Sequence, residues 1–226
     1  MTYAFAPVPQ PALPINGSDQ LFPVHRIYCV GRNYAEHTRE MGGDAKDPPF
    51  FFQKNADNAV ADGTFPYPPQ TQNVHYEIEL VVGLKSGGVN IEAADAMRHV
   101  FGYAVGIDMT RRDRQDVAKK LARPWEVAKA FEHSAPMTAI VPAQHVETIA
   151  RGAIWLEVNG VRKQTGDLSQ MIWDVPNQIA FLSTLFELTA GDLIFTGTPA
   201  GVGAIRKGDK IKGHVDGVGD LDVTVV

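Results

Sequence analysis

The chain has 226 residues, a formal net charge of −5 and 44% hydrophobic side chains, enough for one large domain or two small ones with a sizeable core. Its charges are interspersed without a basic stripe, which argues against nucleic acid, and no segment approaches the ~20 apolar residues of a membrane span. Cys29 is the only cysteine, which excludes an intramolecular disulfide and a thiolate-rich zinc site. The opening residues lack the basic start and continuous apolar run of a signal peptide, so a cytoplasmic protein with a small-molecule partner is expected.

Residues 1–22 contain Pro7, Pro9, Pro11 and Pro14, which restrict the backbone and remove donors, and read as an extended arm ahead of a domain at 23–226. A first strand is predicted at 26–30, a short helix at 33–41 stopping at Gly42-Gly43, and a strand at 50–52 after Pro48-Pro49. The loop that follows, rich in Asn, Asp, Gly and Pro, runs to about Asn73 and is long enough to suggest function. Strands are predicted at 74–84 and 101–107 around a short helix at 93–100. A helix at 111–121 is expected to be capped by Asp108 or Thr110. Beyond it come a strand at 154–158, a hairpin at Asn159-Gly160 leading into 161–164, and a helix at 175–185. Strands at 191–196, 210–215 and 221–226 end the chain. The class is α+β and strand-dominated, without internal repeats.

In His75-Tyr76-Glu77-Ile78-Glu79-Leu80, side chains of one strand alternate, so His75, Glu77 and Glu79 share a face. That face is either the solvated half of an amphipathic strand or one side of a cation site. Asp108, ending an apolar strand, is either a helix cap or a third ligand. An all-carboxylate set suits a hard divalent ion such as Mg²⁺ or Mn²⁺, and no His-x₃-His or Cys-x₂-Cys spacing favours zinc. His75 then fits a supporting position beside the ligands.

Five ordered blocks, YCVGRNYAEHTREMG, HYEIELVVG, GYAVGIDMTRRDRQD, PWEVAKAF and LIFTGTPAGVG, resemble the fumarylacetoacetate hydrolase family, in its small acylpyruvate hydrolase and oxaloacetate decarboxylase branch. The likeness covers about residues 27–226. It implies a mixed β-sandwich roll of the family's C-terminal domain type, usually a homodimer, with Mg²⁺ or Mn²⁺ held at Glu77, Glu79 and Asp108. It also implies catalytic roles for His37, Glu40 and Lys129, and substrate contacts for Arg112, Gln115, Thr198 and Lys54. The residues alone leave alternatives. His37 and Glu40 share a helix face at i, i+3, as many surface pairs do. Arg112 and Gln115 stand in RRDRQDVAKK, which also reads as a solvated face. Lys129, between Val127 and Phe131, needs a partner or a shifted pKa. The Gly197–Gly203 run permits close backbone approach but lacks the Gly-Lys-Ser/Thr of a P-loop. Lys54 is followed by Asn55, where the family commonly has proline.

The implied reaction is hydrolysis of the C–C bond of a 3-acylpyruvate, with fumarylpyruvate favoured, giving fumarate and pyruvate. His37 would activate water, and the cation would stabilise the pyruvate enolate. Oxaloacetate decarboxylation or tautomerisation would use the same ion without attacking water. A noncatalytic cation and dicarboxylate binder would not require the His37/Glu40 pair.

Overall fold

Strand Ile78–Leu84 is buried at all seven positions, so it requires apolar cover on both faces. It lies inside a six-stranded mixed sheet ordered Val141–Pro142, Val100–Ile107, Ile78–Leu84, Leu193–Phe195, Ile27–Gly31 and Phe50–Lys54. On one face, Ile78, Leu80 and Val82 join Ile154, Leu156, Ile211 and Val223 of a five-stranded sheet to form the larger core. Gly213 of that sheet is a point of close approach, because a Cβ there would stand 2.5 Å from Ile78 Cδ1. The five-stranded sheet runs Val161–Asp167, Ala153–Val158, Lys210–Val215, Gly219–Val225 and Thr64–Phe65. On the opposite face, Val81, Cys29 and Phe195 pack against Leu13, Phe22 and Val24. The computed structural model describes the backbone of residues 2–40 and 48–226, with the side chains of 38–40 outside the description.

The N-terminal segment is exposed through residue 10, then pairs Ala12–Pro14 with Leu21–Pro23 and covers the sheet. The long loop from 55 to 73 builds structure. Ala59–Val60 pairs with Ala135–Pro136, Thr64–Phe65 extends the five-stranded sheet, and Phe65 is fully buried. Among the described residues none of this loop lines the carboxylate cleft described below, and its link to that cleft is Asn73, which bonds His75 and Arg112.

The single strand expected at 74–84 is two strands, Val74–Tyr76 and Ile78–Leu84, in different sheets. The break falls at Glu77 because the Ile78 N–H donates to the side-chain carbonyl of Gln164 at 3.0 Å, while the Glu77 carbonyl accepts from the Asp108 N–H at 2.8 Å. Neither Asp108 nor Thr110 caps the following helix, Arg112–Lys120, whose N-cap is Arg111 without a side-chain hydrogen bond. Both polar groups are instead engaged by Lys129, and the Arg112 N–H is satisfied by the Asn73 carbonyl at 2.8 Å. Elsewhere expectation and structure agree closely. Asn159 and Gly160 have φ of 53° and 76°, as a two-residue hairpin turn requires, and helix Val175–Leu185 is capped by Asp174 accepting from the Asn177 N–H at 3.0 Å. Among the described residues no helix is long and apolar enough to cross a membrane.

Candidate active site

Antiparallel register pairs Ile78 with Ile107 and Glu79 with Gly106, and the Asp108 to Glu77 backbone bond extends that ladder by one step. Chain order therefore places Asp108 beside the two glutamates. One oxygen from each of Glu77, Glu79 and Asp108 lies within 4.8 Å of the others, and all three residues are buried, at 5%, 2% and 0% exposure. This removes the solvated-face alternative for Glu77 and Glu79.

Three buried cations pair with two of the carboxylates, Glu77 and Asp108. Lys129 Nζ donates to Glu77 Oε2 at 2.9 Å, Asp108 Oδ2 at 2.5 Å and Thr110 Oγ1 at 2.6 Å, which uses all its protons. Lys54 Nζ lies 2.8 Å from Asp108 Oδ1 and donates to the carbonyls of Met109 and Lys129. Arg112 donates to Glu77 Oε1 and, at 2.5 Å, to Gln115 Oε1. Its Nε donates to His75 Nδ1 at 3.3 Å, which leaves His75 Nε2 to donate to Asn73 Oδ1 at 3.0 Å. His75 thus supports Arg112, which holds the Glu77 carboxylate.

The carboxylates differ in their ease of ionisation. Burial pushes the Glu77 pKa up, but Lys129, Arg112 and His37 outweigh it and hold Glu77 well below the usual carboxylate range. Glu79 goes the other way. Burial raises its pKa, and the neighbouring charges of Asp108 and Glu77 raise it further, against the Gly197 N–H that donates to Glu79 Oε2 at 2.7 Å. Burial would lower the Lys129 pKa, yet Asp108 and Glu77 overcome this and raise it.

A divalent cation fits this donor set. Asp108 Oδ1 is buried without a hydrogen-bond partner, the Lys54 ammonium approaching it outside hydrogen-bond geometry. That oxygen therefore keeps lone-pair capacity for a cation, and Glu79 lacks a cationic partner of its own among the described ion pairs.

His37, Arg112, Gln115, Lys129 and Thr198 line one cleft around Glu77 and Glu79. His37 is 5% exposed, on helix Ala35–Glu40. The side chain of Glu40 lies outside the described residues. Gln115 Nε2 has no acceptor among the described residues, while Thr198 Oγ1 accepts from Gln164 Nε2 at 2.8 Å. Lys54 is not part of the cleft wall. It stands behind Asp108, where protein groups take up its ammonium, so the structure places it as a support of the cluster. A larger hollow of about 560 Å³, between Met97, Tyr103, Ile149, Leu168 and Met171, has no Lys, Arg or His in its lining and lacks the charge that a carboxylate ligand needs.

Sequence reasoning passed over several groups that assemble the cleft. Asn33, fully buried, donates to the carbonyls of Trp173 and Thr196 at 2.8 and 2.7 Å and accepts from the Trp173 N–H at 2.7 Å, clamping three segments together. Gly197 has φ of 97°, and a Cβ there would stand 2.6 Å from Asn33 Cβ. The glycine thus lets the backbone approach a carboxylate, but that carboxylate is Glu79. Gln164 is equally hidden in sequence, because nothing local in the Val161–Asp167 strand marks a buried amide.

A strand-dominated α+β roll with a buried Glu-Glu-Asp cluster beside a histidine defines a divalent-cation enzyme site. The chain belongs to the fumarylacetoacetate hydrolase family, whose model described as fumarylacetoacetate (FAA) hydrolase C-terminal matches residues 26–226. It is similar to the crystal structure of fumarylpyruvate hydrolase from Pseudomonas aeruginosa in complex with Mn2+ and pyruvate, at a TM-score of 0.97 and 50% identity over 100% of this chain and 99% of that one. It is 46% identical over 177 residues to the fumarylpyruvate hydrolase of Ralstonia sp, covering 78% of this chain and 92% of that relative. It is also 38% identical over 200 residues to the mitochondrial oxaloacetate decarboxylase of Dictyostelium discoideum, covering 88% of this chain and 91% of that relative.

Proposed function

We propose that the protein hydrolyses the C–C bond of a 3-acylpyruvate, with fumarylpyruvate and water giving fumarate and pyruvate. The observation that carries this is a buried three-carboxylate cluster, in which one Asp108 oxygen accepts no hydrogen bond, in the same site as His37. A divalent cation, Mg²⁺ or Mn²⁺, held by Glu77, Glu79 and Asp108 would supply Lewis-acid stabilisation to the enolate oxygen that develops on the pyruvate half. His37 takes a proton from the attacking water, and its imidazole suits that exchange near neutral pH. Water oxygen adds to the acyl carbonyl, the bond between that carbon and the pyruvate methylene breaks, and the electron pair passes to the pyruvate enolate. The proton then returns to the methylene carbon. Gln115, whose amide N–H has no acceptor among the described residues, donates to substrate oxygen at the cleft, and Arg112 and Lys129 keep Glu77 ionised. The family resemblance assigns Glu40, three residues after His37, as the partner of that histidine.

Resemblance to the Dictyostelium decarboxylase supports a second reading, enolisation or decarboxylation of oxaloacetate without attacking water. His37→Ala separates the two. Steady-state kinetics on fumarylpyruvate and oxaloacetate should show kcat/KM for fumarylpyruvate falling by about a hundredfold or more. Retained acylpyruvate cleavage in that variant sinks the mechanism.

A homodimer is part of the same proposal. The exposed Tyr3, Phe5 and Val8 of the arm offer apolar surface for a second copy to cover, and light scattering reads the mass directly. The buried, unpaired Cys29 suits a reducing compartment, in keeping with the cytoplasm.

A further inference from the structure

Arg112, Gln115 and Lys119 stand at i, i+3 and i+7 of helix Arg112–Lys120 and share one face, with Lys119 about 10 Å further along the axis than Arg112. All three line the cleft. Arg112 and Gln115 are buried and Lys119 is half-buried, so the face runs outward from the carboxylate cluster to Lys119.

The cations differ in what they already hold. Lys54, Arg112 and Lys129 each have a carboxylate partner. Among the described residues no carboxylate oxygen lies within 4.0 Å of Lys119 Nζ. Lys119 instead sits 5.5 Å from the Trp125 ring centroid, and Trp125 meets Phe50 edge-on at 5.4 Å. Arg32, held at φ 61° after strand Ile27–Gly31, lies 5.8 Å from the Phe50 ring. Arg32, Phe50 and Trp125 all line the same cleft as Lys119. Burial lowers the Lys119 pKa, and the charges of Arg112 and Arg32 lower it further, with Asp116 and Glu77 offsetting that repulsion only in part. An incoming carboxylate relieves that repulsion.

We propose that Lys119, flanked by Arg32 and the Phe50–Trp125 wall, binds a carboxylate at the acyl end of the substrate and so selects acylpyruvates whose acyl group is itself an acid. The assignment rests on the acylpyruvate function proposed above. The unsaturated acyl chain lies along the aromatic wall between the cation cluster and the lysine, which acts as a specificity residue and takes no part in bond breaking.

The test compares fumarylpyruvate with acetylpyruvate, which lacks the acyl-end carboxylate, in wild type, Lys119→Met and Lys119→Arg. Lys119→Met should lose about ten- to hundredfold more kcat/KM on fumarylpyruvate than on acetylpyruvate, and Lys119→Arg should retain most of the preference. Equal losses on the two substrates, or no loss on either, overturn the proposal. A second arm measures binding of 2-oxoheptanedioate and 2-oxoheptanoate by calorimetry with Mn²⁺ present. Wild type should favour the diacid and Lys119→Met should not, whereas a wild type without that preference overturns the subsite. If wild type cleaves neither acylpyruvate, the proposed function fails on its own, and the calorimetric preference still decides the subsite.

Discussion

Replacing Lys129 with methionine, similar in length but uncharged, tests how the buried cluster is held together. The ammonium satisfies Glu77 at 2.9 Å, Asp108 at 2.5 Å and Thr110 at 2.6 Å, and it is 2% exposed, so no water replaces it. Around the site, Lys54, Arg112 and Lys129 pair with Glu77 and Asp108 alone, and losing Lys129 strips both buried carboxylates of the cation they share. Breaking such an arrangement costs about 3–5 kcal/mol, a large part of the ~5–15 kcal/mol of a typical domain. Urea melts in EDTA should therefore show Lys129→Met destabilised by roughly that amount. The same change makes the site more attractive to a divalent ion. Mn²⁺ at ~1,000 times the wild-type Kd adds about 4 kcal/mol to wild type by mass action, and the same concentration should add more to the variant, whose Kd is lower. A variant as stable as wild type in EDTA, or one that gains no more than wild type from Mn²⁺, would refute this account of the cluster.

Gly197→Ala should lower stability by about 1–3 kcal/mol, because alanine is strained at φ 97° and its methyl meets Asn33 Cβ at 2.6 Å. Thermal melts and Mn²⁺ titration read it, with weaker cation binding expected as Glu79 loses its 2.7 Å N–H donor, and unchanged melts contradict the proposed close approach. Glu79 also sets a pH dependence. Its folded pKa is raised above the ordinary 4.5, so the folded protein binds more protons than the unfolded chain above that value, and stability in EDTA should fall as pH rises through the raised pKa. Melts taken at successive pH values above the ordinary 4.5 should show this decline in wild type and not in Glu79→Gln, and identical pH profiles would exclude Glu79 as the source.

Local pattern determined a good deal about this protein. Hairpin chemistry at Asn159-Gly160, the helix at 175–185, and the apolar strands expected at 26–30 and 101–107 and formed at 27–31 and 100–107 are properties of short stretches, and they folded as those stretches dictate. The family blocks likewise brought forward Glu77, Glu79 and Asp108, which one antiparallel ladder sets side by side.

Tertiary structure decided the rest, because the deciding partners are remote in sequence. The break at Glu77 depends on Gln164, 86 residues beyond Ile78, and the charge state of Glu77 depends on Lys129 and Arg112. Sequence alone leaves Asp108 free to cap a helix, whereas in the fold Lys54 and Lys129 claim it, and Lys54 is a buried support behind that carboxylate. Periodicity says which side of an element a residue faces, but not what waits on that side. Burial and pairing with distant charges, which turned an acidic strand into a cation site, exist only once the sheets have closed over it.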